Sequence, residues 1–170
     1  MPLENMSLDV KKAYLLLGSN LGDRQLYLAK ACTLIAEEVG AVIGQSAIYE
    51  TEAWGKTDQP GFLNMALAVN TSLSPLALLH KVLDIEKKLG RVRHEKWGAR
   101  LIDIDIIFYG NEVVDIKDEL QIPHPQMQHR KFVVQPLAAL APDFVHPVLQ
   151  QTLVEILTQL ADSLSVKIIS

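Results

Sequence analysis

The stretch Leu101-Ile102-Asp103-Ile104-Asp105-Ile106-Ile107-Phe108-Tyr109 alternates isoleucine with aspartate and runs into Gly110-Asn111, a turn signal that predicts a hairpin. Successive side chains of a strand point to opposite faces, so Ile102, Ile104 and Ile106 share one face and Asp103 and Asp105 the other. Upstream, Ser74-Pro75 supplies an N-cap and a proline at the first helical position. Leu78, Val82, Ile85 and Leu89 form one stripe of that helix, and Gly90 stops it. Before it, residues 41–50 and 62–71 read as strands, joined by the polar loop TEAWGKTDQPG. A helix over 23–39 carries Leu28, Cys32, Ile35 and Val39 on its buried stripe, which makes Cys32 a packing residue. The compact apolar run 13–17, ended by Gly18-Ser19-Asn20, is a buried first strand. Strand, helix, strand, strand, helix, strand is the order of an α+β, ferredoxin-like βαββαβ sandwich, with two helices over one face of an antiparallel sheet. Beyond Gln121 the prolines at 123, 125, 136, 142 and 147 predict a loop-rich region, and a last amphipathic helix is expected over 149–160.

With 170 residues, 49% of them hydrophobic and 21% charged, the chain has the composition of one globular domain with a real core. We read residues 1–170 as a single catalytic domain: a ragged N-terminus over 1–11, a core over about 12–142 and a helical addition over about 143–170. No apolar run approaches the roughly 18–20 residues that cross a bilayer, and the first eleven residues lack the apolar block of a secretory signal. One cysteine, Cys32, suits a reducing compartment, so a cytoplasmic location is expected, without membrane partners. The net charge of −4 argues against nucleic acid as a partner. A local exception is KKLGRVRHEKWGAR at 87–100, where six basic residues face a single acid, Glu95. Such a loop fits phosphates on a small molecule, though a solvated helix end has the same look.

Asp103 and Asp105 carry the sharpest chemical signal. Acids are depleted in strands, and two on one face repel unless water or a cation lies between them. Magnesium binds one or two carboxylates and fills its other positions with water and substrate phosphates. Taken alone, the pair reads equally well as the wet face of a half-exposed strand. The adjoining arginines shift the reading, because guanidinium groups bind phosphate in a planar, permanently charged fork. Carboxylates for a metal and guanidinium groups for phosphate are what phosphoryl transfer requires.

The segment GRVRHEKWGARLIDIDIIFYG, residues 90–110, closely resembles the signature of the 6-hydroxymethyl-7,8-dihydropterin pyrophosphokinase family of folate biosynthesis. Leu17-Gly18-Ser19-Asn20-Leu21-Gly22-Asp23 resembles that family's first strand and turn. Thr51 and Asp58-Gln59-Pro60-Gly61-Phe62-Leu63-Asn64 resemble its substrate loop and following strand. Pro123-His124-Pro125, Arg130, Phe132 and Pro136-Leu137 resemble its downstream segment. The resemblance implies transfer of a diphosphate group from ATP to the pterin hydroxymethyl oxygen, with release of AMP. It further implies that Asp103 and Asp105 bind two Mg2+ ions bridging the ATP phosphates. Arg91 and Arg100, with Trp97 between them, would belong to a loop that closes over the nucleotide. Glu86, Arg93, Trp97, Ile106, His124 and Arg130 would line the ATP side. Phe62 and Phe132 would sandwich the pterin, with Asn64, Thr51 and Trp54 at its polar edge.

Read from the residues alone, Phe62 and Phe132 also fit a core, His124 fits a structural histidine, and Glu86 is either half-buried or functional. Asn64 is harder to place in a plain core, because a buried amide needs partners. His80, His129 and His146 suggest no site. Ala53 and Ala99 stand where the family pattern has proline, and Lys96 where it has arginine; the alanines widen backbone freedom in both loops. A nucleotide-binding module without turnover would share the fold but would not need two adjacent metal carboxylates. The expected partners are therefore two small molecules, ATP and 6-hydroxymethyl-7,8-dihydropterin, on a monomer.

Overall fold

The computed structural model describes residues 6–51, 61–90, 101–161 and 166–169. Its elements, in chain order, are β1 (Met6–Ser19), α1 (Arg24–Glu38), β2 (Gly40–Gln45), β3 (Tyr49–Thr51), β4 (Phe62–Leu73), α2 (Pro75–Lys88), β5 (Asp103–Tyr109), β6 (Val114–Ile116), β7 (Leu120–Ile122), α3 (Lys131–Leu140), α4 (Leu153–Gln159) and β8 (Val166–Ile168). Among the described residues, the main sheet runs in the order β5-β1-β4-β3-β8, with β2 also on β4, and every pairing is antiparallel. This is the strand order of the expected ferredoxin-like sandwich.

The two faces of the sheet differ. Ala13, Leu15 and Leu17 of β1, Leu63, Met65, Leu67 and Val69 of β4, and Ile104 and Ile106 of β5 turn toward α1 and α2. There they meet Leu28, Ala31 and Ile35 of α1 and Leu78, Val82 and Ile85 of α2. Each such buried Leu or Ile is worth about 1.5–3 kcal/mol, ample to hold β5 in place with two acids on its other face. Tyr14, Leu16, Ala66, Ala68 and Phe108 turn the other way, beneath α3 and α4. Both long helices begin as the sequence predicts. Asp23 accepts from the Leu26 N–H at 3.1 Å, and Ser74 accepts from the Ala77 N–H at 3.2 Å. Gly90 ends α2 with φ +91.

Several elements differ from expectation for long-range reasons. β1 extends well beyond 13–17. It starts at Met6 inside the segment read as a ragged N-terminus, and it runs through Gly18 to Ser19, pairing Met6 with Leu73 and Ser19 with Leu63. The strand expected over 41–50 is two strands. The Ser46 hydroxyl accepts from the Ala66 N–H at 2.9 Å and so takes a donor of β4. Gly110-Asn111 makes no hairpin: β5 lies at the sheet edge beside β1 alone, and the hairpin is formed later by β6 and β7. Residues 131–140 form a helix despite Pro136. That proline cannot donate to the Phe132 carbonyl, but Val133, Val134, Leu137 and Ala138 bury against the sheet and hold the helix. The last helix starts at Leu153, not 149, because Thr152 and Glu155 form a capping box there. The expected helical addition also contains β8, which joins the main sheet beside β3.

Candidate active site

Opposite positions in paired strands share a face, and one row of pairs crosses three strands of the sheet. Asp103 of β5 faces Gly18 of β1, and Gly18 faces Asn64 of β4. One step along, Asp105 faces Leu16. The expected geometry of the two aspartates is therefore realised: they share a face, Asp103 half-buried and Asp105 exposed, while Ile104 and Ile106 are buried behind them. The alternation holds only as far as Ile106. Register with β1 slips there, Leu15 facing Ile106 and Tyr14 facing Phe108, so Ile107 is an extra residue. The bulge turns Ile107 and Phe108 toward α3 and α4. The same face thus grades from an apolar end, covered by helices, to a polar end made by Asp103, Asp105 and Asn64.

Gly18 is what lets this row form. A Cβ on it would lie 2.8 Å from Asn64 Nδ2. The amide lies across β1 and donates from Nδ2 to the Leu17 carbonyl at 3.3 Å. Its other atom, Oδ1, is buried and has no hydrogen-bond partner among the described residues. The same is true of the Thr51 hydroxyl. Thr51 pairs with Phe62, so both share the face of Asn64. Two buried acceptors at one end of one face make a surface suited to a ligand edge that carries N–H donors. Phe62 is half-buried beside them, and Phe132, second residue of α3, is partly buried against the second core.

On the outer edge of β5 lies a cleft of about 570 Å³, lined by Leu79, Leu83 and Glu86 of α2, by Asp103, Asp105 and Ile106, and by His124. Glu86 is buried at 3% exposure, and its Oε2 accepts from the Ile104 N–H at 2.8 Å. The carboxylate thereby replaces the missing strand neighbour just where β5 carries its aspartates. Outward-facing main-chain groups alternate along an antiparallel edge. Ile104 is one such position and Ile106 is the next, so the Ile106 backbone faces the cleft while its side chain stays in the core.

His124 is pinned by its own N–H, which donates to the Ile107 carbonyl at 3.1 Å, and its Nδ1 accepts from the Gln126 N–H at 3.2 Å. Burial, and then the positive charge of Arg130, hold its imidazole below the usual histidine range. The ring is neutral at pH 7, and with Nδ1 accepting, its proton sits on Nε2 as a donor. Arg130 is exposed, 6.0 Å from the Phe132 ring centre.

Among the described residues, no three His, Cys, Asp or Glu side chains gather as a metal cage. Two hard carboxylates on one face, open toward a cleft, instead fit a magnesium ion that takes its remaining oxygens from phosphate and water. The paired aspartates beside this cleft and the orphaned amide two strands away lie on one face of the sheet. The model of the 7,8-dihydro-6-hydroxymethylpterin-pyrophosphokinase family matches residues 14–142.

The chain belongs to this family.

A 2-amino-4-hydroxy-6-hydroxymethyldihydropteridine pyrophosphokinase of Methylorubrum extorquens is 48% identical over 136 residues, covering 79% of this chain and 85% of that protein. A protein of the same name from Aquifex aeolicus is 44% identical over 142 residues, covering 84% and 88%. Among solved structures, wild-type Plasmodium falciparum HPPK-DHPS with STZ-DHP shares the fold at a TM-score of 0.75 and 20% identity. The match covers 93% of this chain and 44% of that one.

Of the residues that the pyrophosphokinase resemblance singled out, the structure brings Asp103, Asp105, Glu86, Ile106 and His124 to one cleft. Thr51, Phe62 and Asn64 lie together on one sheet face. Trp54, Arg91, Arg93, Trp97 and Arg100 lie outside the described residues. Gly18 was missed: Gly18-Ser19-Asn20 reads locally as a turn, and only its pairing with Asn64 shows its part. His80, His129 and His146 do not line the cleft beside β5. His146 is buried and caps a turn, its Nδ1 accepting from the N–H groups of Val148 and Leu149.

Proposed function

We propose that this chain transfers the diphosphate of ATP to the hydroxymethyl oxygen of 6-hydroxymethyl-7,8-dihydropterin, giving AMP and the pterin diphosphate, a step of folate biosynthesis. The observation that carries this reading is the row Asp103–Gly18–Asn64, which sets metal-type carboxylates and a ligand-seeking amide on one face, two strands apart. The pterin hydroxyl oxygen attacks the β-phosphorus and gives up its proton to solvent, the bond from that phosphorus to the α,β-bridging oxygen breaks, and AMP leaves with that oxygen.

In this reading Asn64 and Thr51 meet the polar edge of the pterin, and Phe62 and Phe132 hold its faces. ATP lies along the open edge of β5, with the Ile106 backbone toward the base and His124 Nε2 and Arg130 toward phosphate. Asp103 and Asp105 would hold two Mg2+ ions, which neutralise phosphate charge when bound. Glu86 positions those aspartates through the Ile104 N–H. Arg91, Arg93, Trp97 and Arg100 are assigned to the nucleotide by the family pattern, as is Trp54 to the pterin. Catalysis then rests on orientation and charge stabilisation, as in other phosphoryl transfers. The chain acts as one catalytic domain, a cytoplasmic monomer. No helix among the described residues is long and apolar enough to cross a membrane, and the lone Cys32 packs against the core.

The test is AMP release from ATP. It should require both the pterin and magnesium, and release independent of the pterin would overturn the proposal.

A further inference from the structure

Arg24, the first residue of α1, reaches away from its helix to the other side of the pterin-facing strands. A single guanidinium nitrogen, Nη1, donates to Glu50 Oε2 at 2.6 Å and to the Gly61 carbonyl at 2.8 Å. Glu50 and Gly61 flank the two ends of the connection between β3 and β4. Glu50 precedes Thr51, the last residue of β3, and Gly61 precedes Phe62, the first residue of β4. Thr51 and Phe62 are the terminal pair of that hairpin. The two ends also approach closely: a Cβ on Gly61 would lie 2.4 Å from the Thr51 carbonyl oxygen. Position 61 therefore admits only glycine at this spacing.

From this geometry we infer that Arg24 is a positioning residue for the pterin side of the active site. The inference rests on the pyrophosphokinase reading above. Residues alternate across a strand, so Glu50 lies on the face opposite Thr51, and Arg24 grips the hairpin from behind. The clamp ties α1 to both strands one residue from Thr51 and Phe62. It touches neither ligand and acts by holding those two side chains at a fixed spacing. Charge-assisted bonds of this kind are stronger than neutral ones, and one donor shared between two strands also fixes their separation. Arg24 and Glu50 keep 25% and 36% of their side-chain surface in solvent, so their ion pair adds little to global stability. The effect belongs to local geometry.

The experiment is steady-state kinetics on Arg24→Met, with each substrate varied in turn. We expect the KM for pterin to rise about tenfold as Thr51 and Phe62 lose their fixed spacing. The KM for ATP, kcat and the thermal midpoint should stay close to wild type. Arg24→Lys, which keeps the charge and three N–H donors on a shorter side chain without the planar fork, should recover part of the loss. Glu50→Gln, which keeps shape and an acceptor, should show the same split at smaller size. Gly61→Ala should reproduce it by forcing the strands apart. A pterin KM within twofold of wild type in Arg24→Met, or equal rises in both KM values, overturns the inference while leaving the function intact. A wild-type protein without pterin-dependent AMP release overturns the reading beneath it.

Discussion

Gly18→Ala puts the geometry of the pterin edge to a direct test. The added Cβ would lie 2.8 Å from Asn64 Nδ2, where ordinary contact begins at 3.4 Å. It would lie 3.7 Å from the Leu63 carbonyl oxygen, which is no obstacle. The whole conflict falls on the Asn64 amide, whose hold on the Leu17 carbonyl is already long at 3.3 Å. The amide must swing aside by more than half an ångström, and its unsatisfied Oδ1 moves with it. Each hydrogen bond it makes to a ligand is worth about 0.5–1.5 kcal/mol, so misplacing two costs about 1–3 kcal/mol, or roughly ten- to a hundredfold in pterin affinity. The fold should not suffer, because alanine in a strand interior is favoured over glycine by roughly 0.5–1 kcal/mol. Titration calorimetry with the pterin and a non-hydrolysable ATP analogue, beside a thermal melt, separates the two effects. Pterin binding within twofold of wild type would refute the reasoning, as would a collapse in the melting midpoint together with affinity for both ligands.

Other outcomes follow from the same geometry. Phe62→Ala and Phe132→Ala should each weaken pterin binding by about 1–3 kcal/mol and spare ATP; a stability loss of about 3–5 kcal/mol on chemical unfolding would mark them as core residues instead. Glu86→Ala leaves the Ile104 N–H buried without its acceptor and should cost about 1–3 kcal/mol of stability, with magnesium-dependent turnover falling too. Glu86→Gln keeps an acceptor and should lose much less of both, so equal losses would show that the charge itself matters. Burial holds His124 and His146 below the usual histidine range, so the unfolded chain binds more protons just below pH 6.5. Their contribution to stability is present above about pH 6.5 and is lost as pH falls toward the folded values. Calorimetric unfolding at pH 6 in buffers of different ionisation enthalpy should therefore show net proton uptake, and net release would contradict the assignment.

The local signals were legible where local chemistry decides the outcome. Ser74-Pro75 and Gly90 bound α2 as read, and the Ile/Asp alternation placed both aspartates on one face. The core of the sheet, β5-β1-β4 with β2 on β4, is the one the βαββαβ element order predicts. What escaped the sequence depends on partners far along the chain. Ser46 splits a strand because its hydroxyl meets Ala66, twenty residues on. α3 tolerates Pro136 because the sheet supplies the packing that the proline's missing hydrogen bond does not. β8 belongs to the sheet only because the open edge of β3 accepts it. Within the site, Asn64 announced itself as an amide in an apolar strand, and Glu86 as an acid on a buried flank. Gly18 and Arg24 gave no such signal. A glycine before Ser-Asn looks like a turn, and an arginine opening a helix looks like solvated charge until Glu50 and Gly61 appear beside it.

The central claim is that Asp103 and Asp105 hold the metal for diphosphate transfer, and replacing each by asparagine tests it most directly. Both side chains are solvent-accessible on a strand anchored by Ile104 and Ile106, so the fold should be retained. The measurement is AMP formed from ATP and the pterin across a magnesium titration, for wild type, Asp103→Asn and Asp105→Asn. The account predicts wild-type activity that depends on magnesium and pterin together. It predicts folded variants whose turnover falls on the order of a hundredfold or more, the scale of losing an electrostatic group at a reacting centre. Folded variants that keep wild-type turnover and wild-type magnesium dependence would contradict it.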